Sequence, residues 1–377
     1  MNNKIKIMQF IHGMSMGGAE TLVKDYCLGI NKNKFDIVLL CFNNCNSPYD
    51  KMLKDAGIKI IYAEDYDDIF KKEKCNFFEK VMRKIKLYSV TKKIINKENP
   101  DIIHSHILLN LYVLFSLKNK NIKLFHTVHS DVNRYWGKGC SIKNKVDLLA
   151  GRILAHKFGQ KNIALHNCMA NEINDIFKVN NTVVLNNGID YERFEKANSK
   201  DFVRSREGIS QEAFVIGHVG RFSEEKNHKF LVQVFSEIYK KIPNAYLLLV
   251  GAGELKIQIE QQISKLGLTD RVKILSNRSD VPDLLNAMDL FIFPSKFEGL
   301  PVTLVEAQKM GLKCIVSDTV PEYATISNLV KRMSLKESPN LWAEEALNFK
   351  VDDIEYYNLE DWDMKNVIKK LENLYLS

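Results

Sequence analysis

The run Phe214-Val-Ile-Gly-His-Val-Gly-Arg-Phe-Ser-Glu-Glu-Lys-Asn-His228 combines three signals. Phe214–Val219 is short, apolar and β-branched, without the polar alternation of a half-exposed strand. Such a run suits a parallel strand covered on both faces. Gly220 lets the chain turn sharply, and Arg221 leaves the strand end. After Lys226, the apolar residues Phe230, Leu231, Val234 and Phe235 recur at helical spacing. The stretch is therefore a strand–loop–helix unit with two cations at its mouth.

Working outward, the same alternation fills the chain. Further strands are expected at 245–250, 272–275, 290–293 and 313–316 in the second half. In the first half they are expected at 5–12, 36–42, 58–63, 102–106, 123–128, 162–166 and 182–185. Strands alternating with helices over two halves imply an α/β protein with two doubly wound, Rossmann-like domains. The turn Asn186-Asn-Gly-Ile-Asp190 and the charged stretch after it place a boundary in 190–210. We divide the chain as 1–195, 196–357 and a C-terminal helical segment, 358–377. Ligands of such sheets lie beyond the carboxyl ends of strands.

Composition bounds the function. The 377 residues are 45% hydrophobic and carry a net charge of +8. The seven cysteines are scattered, with no spacing that builds a zinc site. No apolar run reaches the roughly 20 residues of a membrane span, and the start lacks a leader's cleavage pattern. A cytoplasmic location is expected. Segment 71–98 holds ten Lys/Arg against three acids. Phe77, Phe78, Val81, Met82, Ile85 and Tyr88 recur there at three- and four-residue steps. This basic amphipathic helix either packs on its own domain or docks on an anionic membrane surface. Nucleic acid is disfavoured, because no binding module accompanies the charge.

Two motifs carry the chemistry. Arg221 offers a planar fork and Lys226 a point charge, together suited to a diphosphate, although two ordinary surface cations would read alike. Phe293-Pro-Ser-Lys-Phe-Glu-Gly-Leu-Pro-Val-Thr-Leu-Val-Glu-Ala307 places Glu298 in a loop and Glu306 in the following helix, expected two turns in. Helix-start amides bind phosphate oxygens, and the two carboxylates suit sugar and ribose hydroxyls. A solvated acidic face is the plain alternative.

Weaker features accompany them. Gly13-Met-Ser-Met-Gly-Gly-Ala-Glu20 permits close backbone approach at Gly17 and Gly18, but lacks the dinucleotide fingerprint. Val250-Gly-Ala-Gly-Glu254 closes a strand, and Ser276–Val281 would frame a nucleotide base through its backbone, with Arg278 counted among the donor-binding residues. His104 and His106 share one strand face; His126 and His129 do not share theirs. A strand-end histidine facing a ligand is favoured over metal binding.

Taken in order, these parts resemble the retaining glycosyltransferase family four, of GT-B fold. The resemblance rests on Gly17-Gly18-Ala19-Glu20, His129, Asn187-Gly188-Ile189-Asp190, Gly220-Arg221 with Lys226-Asn227, Gly251–Glu254, Asp280-Val281, Pro294-Ser295, and Glu298-Gly299 with Glu306-Ala307. Gly311–Pro321 and Asn286–Ser295 are similar to bacterial exopolysaccharide and capsule transferases. Lys313 departs from the family's usual proline.

The resemblance implies transfer of a hexosyl-type sugar from a nucleoside-diphosphate sugar, UDP being expected, to a glycan or lipid-linked glycan. It implies retention and no cofactor or metal. Arg221 and Lys226 would neutralise the diphosphate, and Glu306 would hold the ribose. Glu298 with the backbone of Gly299, Leu300, Pro301, Val302 and Thr303 would hold sugar and phosphate. Gly17 and Gly18 would approach the diphosphate from the other domain, and the C-terminal helix would cross back to the first. His129 matches the family's donor-facing histidine, with His126 its rival. The alternatives are a sugar-nucleotide epimerase or hydrolase of this fold, and a non-catalytic sugar-nucleotide-binding protein.

Overall fold

The structure is a computed structural model describing residues 4–15, 17–72, 76–117, 121–129 and 132–377. Glu73, Lys74 and Cys75 of the basic segment, Met16 of the glycine loop, and Ser130 and Asp131 beyond His129 lie outside them.

Two compact units form. One is Met1–Gly188 with Met364–Ser377, and the other is Ile189–Asp363. The chain thus changes unit after Gly188, before the expected residue 195. It returns at Met364 rather than at residue 358. Gly188 is needed at the first crossing, because a Cβ there would lie 2.6 Å from Met364 Cα.

The first unit's sheet has seven strands: β1 (Ile5–Ile11), β2 (Phe35–Cys41), β3 (Lys59–Tyr62), β4 (Ile102–His106), β5 (Lys123–Thr127), β6 (Lys161–Ala164) and β7 (Val183–Val184). Their order is β3-β2-β1-β4-β5-β6-β7, and every pairing is parallel. The second sheet has six: β8 (Phe214–Val219), β9 (Ala245–Val250), β10 (Val272–Leu275), β11 (Leu290–Phe293), β12 (Lys313–Ser317) and β13 (Val330–Met333). Their order is β10-β9-β8-β11-β12-β13, again all parallel.

Apolar side chains cover both faces of each sheet, as the unbroken apolar runs require. In the second unit, Val215, Val219 and Phe291 enter one core cluster, whereas Ile216, Leu247 and Ile292 enter another. β13 was not expected. Its Lys331 and Arg332 hide it from an apolar-run reading, yet they suit an edge strand. Lys313 opens β12 and donates to the Phe349 carbonyl at 3.2 Å, so the family's missing proline leaves the strand intact.

Strand order reverses between β1 and β4 in the first sheet and between β8 and β11 in the second. Such switch points open the crevice where ligands of doubly wound sheets bind. The Arg221–Lys226 loop follows β8, and the Pro294–Glu298 loop follows β11.

Candidate functional site

The second unit's two motifs meet at its switch point. Lys226 Nζ donates to both oxygens of Glu298, at 2.7 and 2.9 Å, and lies 4.9 Å from the centre of the Phe293 ring. Its side chain is 19% exposed and that of Glu298 8%. This is a shielded pair rather than the solvated face that sequence left open. Asn227 Nδ2 donates to the Pro294 carbonyl at 3.1 Å, and the Lys296 amide donates to the Glu225 carbonyl at 2.7 Å. The two loops are thereby sewn together.

Arg221 is held differently. Its guanidinium lies 3.3 Å from Glu254, with the two side chains 73% and 57% exposed, so solvent screens the pair. The Gly251-Ala-Gly253 turn shapes this loop. Phe222 N donates to Ala252 O at 3.0 Å, and Leu255 N donates to Phe222 O at 3.0 Å. A Cβ on Gly251 would lie 2.0 Å from Gly220 O, and one on Gly253 would lie 2.4 Å from Phe222 O. Only glycines allow that approach.

A buried aromatic floor underlies both loops, and sequence reading missed it. His218 donates from Nδ1 to the Ile292 carbonyl at 2.9 Å and stacks on Phe291 and Phe293. His228 stacks on Phe222 at 4.2 Å. Burial holds His228 down to about 4 and His218 well below the usual histidine range, with Lys226 adding to both. Both rings are therefore neutral beside Lys226.

The helix Val302–Lys309 begins after Gly299-Leu-Pro301 with no side-chain cap. Tyr323 donates its hydroxyl to the Gly299 carbonyl and pins the turn. Thr303 Oγ1 is shielded there, with no partner among the described residues. Glu306 sits one turn into this helix, not two, because the helix starts only at Val302. Arg278 is committed elsewhere. It donates to Asp280 at 2.7 and 2.6 Å and to Glu207 at 2.9 Å, in a network that also takes Arg206. These carboxylates raise its affinity for its proton further. In this structure the Arg278 guanidinium braces its own unit.

In the first unit, Gly17 caps the helix Gly18–Gly29 in extended backbone. A Cβ on Gly17 would lie 2.4 Å from Glu20 Oε2, whereas Gly18 faces open space. His129 Nε2 lies 2.9 Å from His106 Nδ1, and His106 stacks on His104 at 4.3 Å. His126 turns to the opposite sheet face, with Nδ1 2.9 Å from Ser105 Oγ. Burial lowers His126 and His129 alike to about 3. Among the described residues, no group of three His, Cys, Asp or Glu is placed to hold a metal.

The basic segment forms the helix Phe77–Glu98, capped by Asn76 with a reciprocal Glu79 bond. Its later turns bury Thr91, Ile94 and Ile95, while Phe77, Phe78, Val81 and Ile85 stay exposed. The helix Asn110–Ser116 packs against it and against the helix Ile142–Phe158. Those two add exposed Phe115, Ile142, Val146 and Leu149. Among the described residues, no helix is long and apolar enough to cross a membrane.

A profile of Glycosyltransferase Family 4 matches residues 16–193, and one of Glycosyl transferases group 1 matches residues 199–353. EpsF of Bacillus subtilis (strain 168), named as a glycosyltransferase, is 30% identical over 91% of this chain and 88% of its own. This chain belongs to glycosyltransferase family four. It is a transferase of GT-B fold. The capsular polysaccharide biosynthesis glycosyltransferase CapH of Staphylococcus aureus is 26% identical over 99% of both chains. Among solved structures, Anabaena HepE in complex with UDP and glucose superposes with a TM-score of 0.73. It is 18% identical, with 99% of this chain and 100% of HepE covered. At that identity, the likeness supports the fold alone.

Proposed function

We propose that this glycosyltransferase moves a hexosyl-type sugar from a UDP-sugar to a lipid-linked or glycan acceptor in surface-polysaccharide assembly, with retention at the anomeric carbon. The pairing of Lys226 with Glu298 beside the uncapped start of Val302–Lys309 carries the reading. One cation, one carboxylate and helix-start amides in a single loop cluster suit a sugar diphosphate. CapH's name supports the pathway, and the HepE complex shows only that a like fold holds UDP.

In the reaction, the bond from the anomeric carbon to the diphosphate oxygen breaks and negative charge gathers on the leaving phosphate, while the acceptor hydroxyl oxygen bonds to that carbon on the same face and its proton goes to the departing phosphate oxygen. Lys226, Arg221 and the amides at Val302 and Thr303 stabilise that charge. Thr303 Oγ1 donates to a phosphate oxygen. As Lys226 turns to the phosphate, Glu298 is released to accept from a sugar hydroxyl, while Glu306 accepts from the ribose. Gly17 and Gly18 are assigned to the diphosphate and His129 to the donor sugar. Protein cations neutralise the leaving group, so no metal is assigned a part.

The exposed apolar and basic side chains of Phe77–Glu98 and Ile142–Phe158 are assigned to an anionic membrane surface. That placement suits a lipid-linked acceptor. The test is a screen of sugar nucleotides with a lipid-diphosphate-sugar acceptor, read by mass spectrometry. The expected result is an acceptor heavier by one hexose, together with free UDP. Free sugar with an unchanged acceptor would instead identify a hydrolase.

A further inference from the structure

Gln9, on β1, stands at the centre of a hydrogen-bonded chain through the first unit. Its Nε2 donates to the Tyr375 hydroxyl at 2.9 Å, and its Oε1 lies 2.8 Å from His106 Nε2. His106 Nδ1 in turn lies 2.9 Å from His129 Nε2. On the other arm, the Tyr375 hydroxyl lies 2.6 Å from His104 Nδ1, and His104 Nε2 lies 2.7 Å from Thr127 Oγ1. Gln9, His104, His106, Thr127 and Tyr375 are fully buried.

The bond directions follow from one atom. An amide oxygen only accepts, so His106 Nε2 carries a proton. Burial keeps His106 neutral, with a single N–H. Its Nδ1 must therefore accept, and the donor is His129 Nε2–H. His129 is neutral too, which leaves its Nδ1 as a bare lone pair. That atom is shielded and has no partner among the described residues. On the far arm, the Tyr375 hydroxyl accepts from Gln9 Nε2 and donates to His104 Nδ1. Turning the Gln9 amide over would reverse every bond and leave a shielded N–H at His129 Nδ1. An orphaned N–H costs more than an orphaned acceptor, so the observed direction is the favoured one.

We propose that Gln9, anchored by Tyr375, is a positioning residue that holds His129 in its Nε2–H form, so that His129 Nδ1 accepts from a hydroxyl of the donor sugar. The sugar contact rests on the function proposed above; the tautomer does not. Nothing in the family resemblance points to Gln9 or Tyr375.

The test combines two-bond 1H–15N NMR of 15N-histidine-labelled full-length protein with kinetics. Wild type is expected to show His129 protonated on Nε2. Gln9→Leu, which cuts both arms, is expected to give mixed tautomers and a kcat/KM about tenfold lower, the loss expected for one hydrogen bond. UDP affinity should hold, since UDP lacks the donor sugar that His129 would contact. Gln9→Glu keeps an acceptor toward His106 and should restore the tautomer. If Gln9→Leu fails to fold, Tyr375→Phe keeps the ring packing and should loosen the tautomer in the same direction. His129 protonated on Nδ1 in wild type, or an unchanged tautomer in both Gln9→Leu and Tyr375→Phe, would overturn the relay. A shifted tautomer with unchanged kcat/KM would overturn the sugar contact. Absence of UDP binding by wild type would remove the proposed function and leave the tautomer result standing.

Discussion

On the proposed function, Lys226 has two competing partners, Glu298 and the donor's diphosphate. A shielded lysine that already balances a carboxylate can neutralise a leaving group without being drawn out of water at the moment of reaction. Lys226→Ala is therefore expected to lower kcat by roughly a hundredfold or more, in the range for removing one preorganised donor. Arg221→Ala should also suppress transfer, with less effect on folding, because Arg221 is exposed and its Glu254 pair is screened. Steady-state turnover with circular dichroism as the folding control checks both; near-normal turnover in either variant contradicts the clamp. These residues were legible because each follows a strand end and shares a loop motif with glycines. Gln9 was not legible. A lone glutamine in an apolar strand has no motif, and its partner Tyr375 is 366 residues away. The pairing of Arg278 with Glu207 was not legible either, because Glu207 lies in a distant segment.

At the scale of elements, the strand-and-helix alternation was readable wherever strands are buried on both faces. β13 escaped because an edge strand tolerates Lys331 and Arg332. The Gly251-Ala-Gly253 turn looked uninformative in sequence, since its purpose appears only where it meets Gly220 and Phe222. The helix Phe77–Glu98 was foreseen, but not its division into a packed end and an end that leaves Phe77 and Phe78 exposed. Nor did sequence mark the neighbouring Ile142, Val146 and Leu149. Two such helices, both carrying exposed lysines, predict binding to vesicles rich in anionic lipid. Binding should weaken as salt rises, because screening acts on exposed charges. Flotation of wild type and Lys80→Glu/Lys84→Glu checks this. The double variant should float less, and salt-independent recovery of both would exclude the surface.

For the whole molecule, acid is the sensitive side. Eight of the nine histidines are held below their usual range, chiefly by burial: His12, His104, His106, His126, His129, His166, His218 and His228. A depressed histidine binds its proton more readily in the unfolded chain than in the folded one. Its contribution is therefore present above the unfolded value near 6.5 and is lost as pH falls toward the folded value. Thermal unfolding midpoints are expected to drop steeply from pH 6.5 toward pH 4, and a flat profile would contradict the buried neutral rings. The doubly wound plan of two units was legible from strand runs alone. The crossings at Gly188 and Met364 were misjudged, because the charged stretch after Asp190 looks like a linker but packs within the second unit. On the proposed function, this second unit holds a nucleoside diphosphate through Lys226 and the helix carrying Glu306. Isothermal titration of UDP into full-length wild type, Lys226→Ala and Glu306→Ala tests it most directly. Saturable binding by wild type, weakened at least tenfold in each variant, is the predicted result; no binding by wild type, or equal binding by all three, would contradict it.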